Sequence, residues 1–228
     1  MTWLIAIIMV FFFFIGLIVL GNIFSVANWG GRSVNWIDGL VRLLCRIVHR
    51  MPATQIPLPK TGGAIVVANH VSGLDPFLLI AASHRPLRFL IAREIYQRRP
   101  LHGLFKKSGC IPVDRSGKPE AALRQALRAL QAGEVIAIFP HGKIHLDTDP
   151  PRKLKGGVAR LAAWSGVPVF PVRIDGVSGE GKVALAPIIP SHVQLTVTEP
   201  FICEQDGMAE CLEKISAIIE NKISSEKA

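Results

Sequence analysis

The sequence predicts an α/β domain: a mixed, mostly parallel sheet flanked by helices, preceded by an N-terminal transmembrane helix and an amphipathic membrane-surface helix. Three observations carry this prediction. From residue 62 onward, short apolar runs alternate with helical patterns, as expected of strands wound with helices. The run Ala64-Ile65-Val66-Val67 has no polar alternation, so it reads as a strand covered on both faces. Residues 3–20 are continuously apolar, with no charged side chain before Arg32.

The elements follow in chain order. The first apolar run spans roughly 27 Å as a helix, close to the hydrocarbon thickness of a bilayer. A cleaved signal peptide would carry a basic leader and a shorter apolar core. No Lys or Arg precedes this run, so residues 1–31 are expected to be a retained anchor. Arg32, Arg42, Arg46 and Arg50 follow it, which by the positive-inside rule puts the remainder on the cytoplasmic face of the inner membrane, behind a single-pass anchor. Over residues 32–60, Ile37, Leu40, Val41, Leu44 and Val48 recur at helical spacing, with Asn35, Asp38, Arg42, Arg46 and His49 largely opposite. That pattern suits a basic amphipathic helix in the headgroup layer, or equally a helix packed on the main domain. Prolines 52, 57 and 59 mark a linker.

Residues 61–228 form the α/β domain. Strands are predicted at 64–68, 87–92, 110–113, 135–139 and 167–174, with edge strands at 183–185 and 193–197. Helices are predicted at 76–83, 119–132, 157–165 and 207–222. In such folds ligands bind beyond the carboxyl ends of the strands. His70, Arg115 and the segment Pro140-His141-Gly142-Lys143 all fall there.

Composition narrows the function classes. The 228 residues are 50% apolar and carry a formal net charge of +9. A pI near 9.8 favours polyanions, whether nucleic acid, an anionic membrane surface or phosphorylated small molecules, and a mean hydropathy of +0.37 is high for a soluble nucleic-acid binder. No P-loop and no GxGxxG after a strand is present, which gives nucleotide binding no support. The four cysteines are scattered without a CxxC pair, so a zinc site or disulfide framework is not expected, and reduced buried thiols are.

The chemistry concentrates in Asn69-His70-Val71-Ser72-Gly73-Leu74-Asp75. Asp before Pro76 is an ordinary helix start, and His70 alone could be a turn residue. Together, across a strand-to-helix turn, they can fold within reach. An Asp that accepts from one imidazole nitrogen fixes the tautomer and leaves the other nitrogen free to take a proton. Gly73 is expected to permit the tight turn. There is no GxSxG nucleophile elbow, and nothing in sequence pairs Cys110 with a base. The simplest reaction has His70 deprotonate a substrate hydroxyl that attacks an acyl group directly, with no covalent enzyme intermediate.

Residues 69–75 resemble the NHxSxxD, or HX4D, box of the glycerolipid acyltransferases related to 1-acylglycerol-3-phosphate acyltransferase. The order of further blocks strengthens the resemblance. Residues 109–115 (GCIPVDR) are similar to the second block, and Phe139-Pro140-His141-Gly142 to the third, usually FPEGTRS. Residues 167–172 (VPVFPV) are similar to the fourth, and Lys155-Gly156 to a lysine–glycine step before a helix. The resemblance covers roughly residues 30–200. It implies His70 as general base, Asp75 as its orienting partner and Arg115 as a phosphate ligand assisted by Arg93. It also implies a substrate pocket built with Phe139, Pro140, His141, Gly142, Lys143 and Lys155. The donor implied is acyl-CoA or acyl carrier protein and the acceptor a lysophospholipid, with 1-acylglycerol 3-phosphate the first expectation. No cofactor or metal is implied, and His141 and His145 flank a Pro/Gly-interrupted segment ill-suited to a helical metal pair.

The third block departs from the pattern. His141 stands in the glutamate position, Lys143 in the threonine position and Ile144 in the arginine position. A carboxylate is lost and a cation moved, as a point charge without the bidentate fork. That opens the choice of lysolipid. A thioester or lipid hydrolase, or a non-catalytic lipid-binding relative, are the rival readings.

Overall fold

The computed structural model describes residues 2–115 and 119–220. Two helices come first, α1 (Thr2–Phe24) and α2 (Arg32–Ile47). The domain then runs β1 (Ala64–Ala68), α3 (Asp75–Ala82), β2 (Leu87–Ala92), α4 (Arg93–Tyr96), α5 (His102–Lys107) and β3 (Ile111–Val113). It continues with α6 (Glu120–Gln131), β4 (Val135–Ile138), α7 (Gly157–Ser165), β5 (Val169–Asp175), β6 (Gln194–Val197) and α8 (Met208–Ile219). The short helices α4 and α5 carry no amphipathic pattern long enough to be read from sequence.

The six strands lie in the order β3-β2-β4-β1-β5-β6. All neighbours are parallel except β5 and β6, which are antiparallel. β1 is therefore central, paired with β4 on one side and β5 on the other. Its five residues are all buried because alternate side chains feed two different layers. Ala64, Val66 and Ala68 join α3 (Leu78, Leu79) and Cys45 of α2 in one core. Ile65 and Val67 join α6, α7 and α8 in the other, through residues such as Ala126, Leu161 and Ile215. Removing a fully buried leucine from either layer, such as Leu78→Ala, is expected to cost about 2–5 kcal/mol.

α1 is long and apolar enough to cross a membrane and is almost wholly exposed. It crosses α2 where Gly21 and Gly39 bring the two backbones so close that neither position has room for a Cβ. α2 packs on the domain with the side that reads as polar. Asp38, Arg42 and His49 are buried, while Ile47 is among the exposed apolar residues. The reason is a pre-paired ion pair: Arg42 Nε donates to Asp38 at 2.8 Å and Arg42 Nη1 to the Ala81 carbonyl at 2.9 Å. Asp38 also accepts from the Val26 N–H and from Trp29 Nε1. Every charge is matched, so burial does not strand it.

Two further expectations are corrected. Residues 183–185 form no strand, because they run into a short 3-10 turn at Ala186–Ile188. Cys203 and Cys211 form a disulfide rather than two free thiols, since the chain entering α8 folds back on its own first turns. Cys45 and Cys110 are buried free thiols, and burial pushes both thiol pKa values up. The closing helix predicted over 207–222 spans Met208–Ile219, its last residues lying outside the described part of the chain.

Candidate active site

The carboxyl ends of β1 and β4 lie side by side, with Val67 opposite Ile138. His70 leaves the first and Phe139 the second, and their rings stack with centroids 4.3 Å apart. Phe139 thereby fixes the imidazole plane from one face. Asp75 fixes it from the edge: His70 Nδ1 donates to Asp75 Oδ2 at 2.7 Å. A carboxylate offers only acceptors, so Nδ1 carries the proton and Nε2 is left as the basic lone pair. Among the described residues no side chain takes that lone pair.

Asp75 is fully buried, and its acceptors are filled by the turn it closes. Oδ2 also accepts the N–H groups of Val71 (2.7 Å) and Ser72 (2.9 Å), and Oδ1 accepts the Ser72 hydroxyl (2.7 Å). Ser72 Oγ in turn accepts the Leu74 N–H at 3.1 Å. Asp75 is thus not a cap for α3, because its bonds run to residues before it rather than into the helix. Gly73 has a different use from the one expected. Its φ is not in the left-handed region; instead the Val183 carbonyl lies where its Cβ would be, and its N–H donates to the Lys182 carbonyl at 3.0 Å.

The third-block loop packs directly on this turn, the His145 N–H donating to the His70 carbonyl at 2.8 Å. His141 is only 2% exposed. Its ring stacks on His145, and its Nε2 bonds to Glu220 Oε1 at 3.1 Å. Glu220 follows α8, 79 residues away in sequence. Burial lowers the His141 pKa against the upward pull of Glu220, and His145 lowers it further. Lys143 is exposed, beside a hollow lined also by His145, Asp149 and Arg152. The Lys155 N–H donates to the Pro140 carbonyl at 3.0 Å, and its exposed side chain lies against Gly142.

Arg93 and Arg115 stand farther along the same edge, at the ends of β2 and β3. They make crossed ion pairs, Arg93 with Asp114 at 3.5 Å and Arg115 with Glu94 at 3.4 Å. Both arginines are exposed, so these pairs are weak. β3 lies three strands from β1, which separates Arg115 from His70 by roughly 14 Å at the backbone. The structure therefore gathers His70, Asp75, Phe139, Pro140, His141, Gly142, Lys143 and Lys155 at the ends of β1 and β4, and sets the two arginines farther along the carboxyl edge of the sheet.

Three residues outside the expected set hold this arrangement. Asn69 bonds the β5 backbone at Ile174. Arg173, buried on β5, donates to Asp147, to Asp175 at 3.0 Å and to the Ile219 carbonyl at 2.6 Å, tying the third-block loop to the end of α8. Glu220 restores a carboxylate beside the position where His141 replaced one. Only Asn69 carried a local signal, as part of the motif; Arg173 reaches 26 residues back to Asp147 and 46 forward to Ile219, and Glu220 reaches 79 back to His141.

An acyltransferase family model matches residues 50–175, more than half of the chain. The N-acylphosphatidylethanolamine synthase of Arabidopsis thaliana is 32% identical over 206 residues, covering 82% of this chain and 69% of that protein. The 1-acyl-sn-glycerol-3-phosphate acyltransferase of Bacillus subtilis is 25% identical over 173 residues, covering 73% and 85%. The crystal structure of the 1-acyl-sn-glycerophosphate acyltransferase of Thermotoga maritima superimposes with a TM-score of 0.66 over 95% of this chain and 89% of that one, at 19% identity, a likeness of fold. The family match over more than half of the chain, around a histidine held in one tautomer at the carboxyl edge of an α/β sheet, places the protein in the acyltransferase family, among the glycerolipid O-acyltransferases.

Proposed function

We propose that the protein transfers a fatty acyl group from a thioester donor, acyl-CoA or acyl carrier protein, to the hydroxyl of a lysophospholipid, with 1-acylglycerol 3-phosphate as the acceptor. The observation that carries this reading is the His70–Asp75 pair, whose filled carboxylate leaves Nε2 as the one unoccupied proton acceptor of the turn. Nε2 removes the acceptor's hydroxyl proton as the oxygen attacks the thioester carbonyl. The tetrahedral intermediate collapses, the C–S bond breaks, and the thiolate leaves with the proton that His70 returns. Asp75 keeps the imidazole in the productive tautomer and stabilises the imidazolium between these steps. Phe139 holds the ring, and the turn at Pro140 and Gly142 shapes the wall beside it.

Arg115 and Arg93 take the acceptor's phosphate by exchanging the carboxylates they now pair. Lys143 and Lys155, exposed on the loop that follows β4, suit the phosphates of the donor. His141 acts through the loop it anchors, because its own nitrogen is committed to Glu220. No cofactor or metal enters this scheme. Residues 1–31 hold the protein in the inner membrane, residues 32–60 join anchor to enzyme, and residues 61–228 work on the cytoplasmic face, consistent with the basic residues that follow α1.

A second reading rests on a specific observation. The third block lacks its glutamate, and a relative matched over most of this chain is named for acylating the nitrogen of phosphatidylethanolamine. The acceptor would then be an amine or another lysolipid, with the same base. Purified full-length protein in lipid vesicles, supplied with labelled acyl-CoA or acyl carrier protein and a panel of lysolipids plus phosphatidylethanolamine, separates these cases. The expected result is acylation of 1-acylglycerol 3-phosphate, abolished in His70→Ala. Acylation of another acceptor reassigns the substrate. Thiol release from water alone establishes the hydrolase, and lipid binding without turnover establishes the non-catalytic reading.

A further inference from the structure

Beyond the candidate span, one group of apolar side chains stands exposed among the described residues. Ile47, at the end of α2, is 70% exposed, and Val183, Leu185 and Ile188 are 66%, 55% and 69% exposed. The segments that carry them are bonded together. The loop that carries the last three is bonded to the end of α2: Ser191 N–H donates to the Val48 carbonyl (3.4 Å), Val193 N–H to the His49 carbonyl (3.0 Å), and His49 Nε2 pairs with the Pro187 carbonyl (3.0 Å). Ala186 and Val193 from the same loop share a core with Cys45 of α2, on the side of the sheet where the α1–α2 pair packs. The anchor helix and this patch therefore lie on the same layer of the molecule.

The flanking sequence is basic. Arg46 and Arg50 are exposed on either side of Ile47 in sequence, and Lys182 is exposed next to Val183, with Glu180 exposed in the same loop. An apolar patch flanked by cations has the chemistry of a surface seated in an anionic headgroup layer, with side chains in the acyl boundary and ammonium and guanidinium groups at the phosphates. The loop is also strapped to the catalytic turn. Gly181 N–H donates to the Val71 carbonyl at 2.8 Å and Gly73 N–H to the Lys182 carbonyl at 3.0 Å. No side chain fits at Gly73 because Val183 presses its backbone there.

We propose that Ile47, Val183, Leu185 and Ile188 form a second membrane contact, independent of α1, which inserts into the bilayer interface and holds the His70 turn at the level where a lipid's headgroup meets its chains. A membrane-held substrate then presents its reactive group to His70 sideways, without leaving the bilayer. The occupant is the lipid surface; no other protein is required. This placement rests on the proposed action on lipid, but it is tested separately from it.

Nitroxide labels placed through Leu185→Cys or Ile188→Cys in the full-length chain, reconstituted in phosphatidylglycerol–phosphatidylethanolamine vesicles, report depth by collision. Both are expected to be relaxed more by dissolved oxygen than by an aqueous nickel chelate. Gln125→Cys on α6, in the opposite layer, is expected to show the reverse. Labels at 185 and 188 as open to nickel as the label at 125 would overturn the proposal, whether or not the chain has any transferase activity. The second arm uses Leu185→Glu combined with Ile188→Glu. Turnover of a long-chain lysolipid in vesicles is expected to fall by tenfold or more, while turnover of a short-chain, monomeric lysolipid is unchanged. Equal loss on both would mean that the loop is merely structural, and no loss on vesicles would overturn the proposal.

Discussion

Asn69 and Ile174 hold each other by two hydrogen bonds: the Asn69 side-chain amide donates to the Ile174 carbonyl at 2.9 Å, and the Ile174 N–H donates to the Asn69 side-chain oxygen at 2.7 Å. This buried clamp locks the residue before His70 to the neighbouring strand, just where β1 and β5 stop pairing. It sets the height at which the His70 turn leaves the sheet. Asn69→Ala leaves two buried backbone groups unsatisfied and is expected to lower stability by about 2–4 kcal/mol. Asn69→Asp keeps the acceptor and loses the donor. It is expected to fold, melt lower, and reduce kcat more than KM, read from melting curves and steady-state kinetics.

Asp75→Asn tests the tautomer argument. The amide accepts less well and can donate to Nδ1, turning the ring's proton toward Nε2. Transfer is expected to fall by about 10³–10⁴-fold, as for the equivalent change in a Ser-His-Asp site. Ser72→Ala removes one donor to the same carboxylate and is expected to cost only about 1 kcal/mol in stability with a smaller rate loss. If Asp75→Asn retained near-full kcat, Asp75 would be holding the turn and nothing more.

His49 and His141 are expected to shape the acid limb of stability. Burial is the main cause of the lowered pKa in both, opposed in His49 by the Pro187 carbonyl and in His141 by Glu220. A histidine depressed in the folded state binds its proton more readily when unfolded, so its contribution is complete above the ordinary value of about 6.5 and is lost as pH falls through the folded value. The melting temperature is expected to drop from pH 7.5 to pH 5, and His49→Gln is expected to flatten that slope. An unchanged slope in His49→Gln combined with His141→Gln would assign acid sensitivity elsewhere.

His141→Glu restores the residue type usual in the third block but sets a second carboxylate against Glu220 in a buried site. Like charges held that close disfavour the fold, so the variant is expected to melt lower. Glu220→Gln added to it is expected to recover stability, because an amide can donate to the new carboxylate. A shift in acceptor preference or rate in the rescued double variant would show that the third block tunes acceptor choice, and unchanged preference and rate would remove it from that role.

Arg115→Ala and Arg93→Ala are expected to leave the melting temperature nearly unchanged, since their ion pairs are exposed and weak. They are expected to raise KM for a phosphorylated lysolipid by one to two orders of magnitude while sparing donor KM. Arg115→Lys is expected to rescue only in part, because an ammonium lacks the bidentate fork.

Much of this protein is local, and local features were legible in the sequence. The fully buried run of β1, the amphipathic patterns of α6 and α8 and the uninterrupted apolar stretch of α1 each follow from the periodicity of one segment. The His70–Asp75 contact was legible too, because five residues across a strand-to-helix turn leave few other ways to satisfy both groups. What needed the tertiary structure was every partnership between distant segments. Strand order put β4 beside β1 and so set Phe139 against His70. The pairing of Asp38 with Arg42, and of both with backbone from elsewhere, turned the polar side of α2 inward, against its periodicity. The Cys203–Cys211 bond, the Val183 backbone against Gly73, and Glu220 beside His141 had no signature in spacing. The physical reason is common to all of them. Period and turn chemistry decide which face of a segment is apolar, but a buried polar group takes whichever partner the packed layers bring within 3 Å, and that is decided only when the layers close.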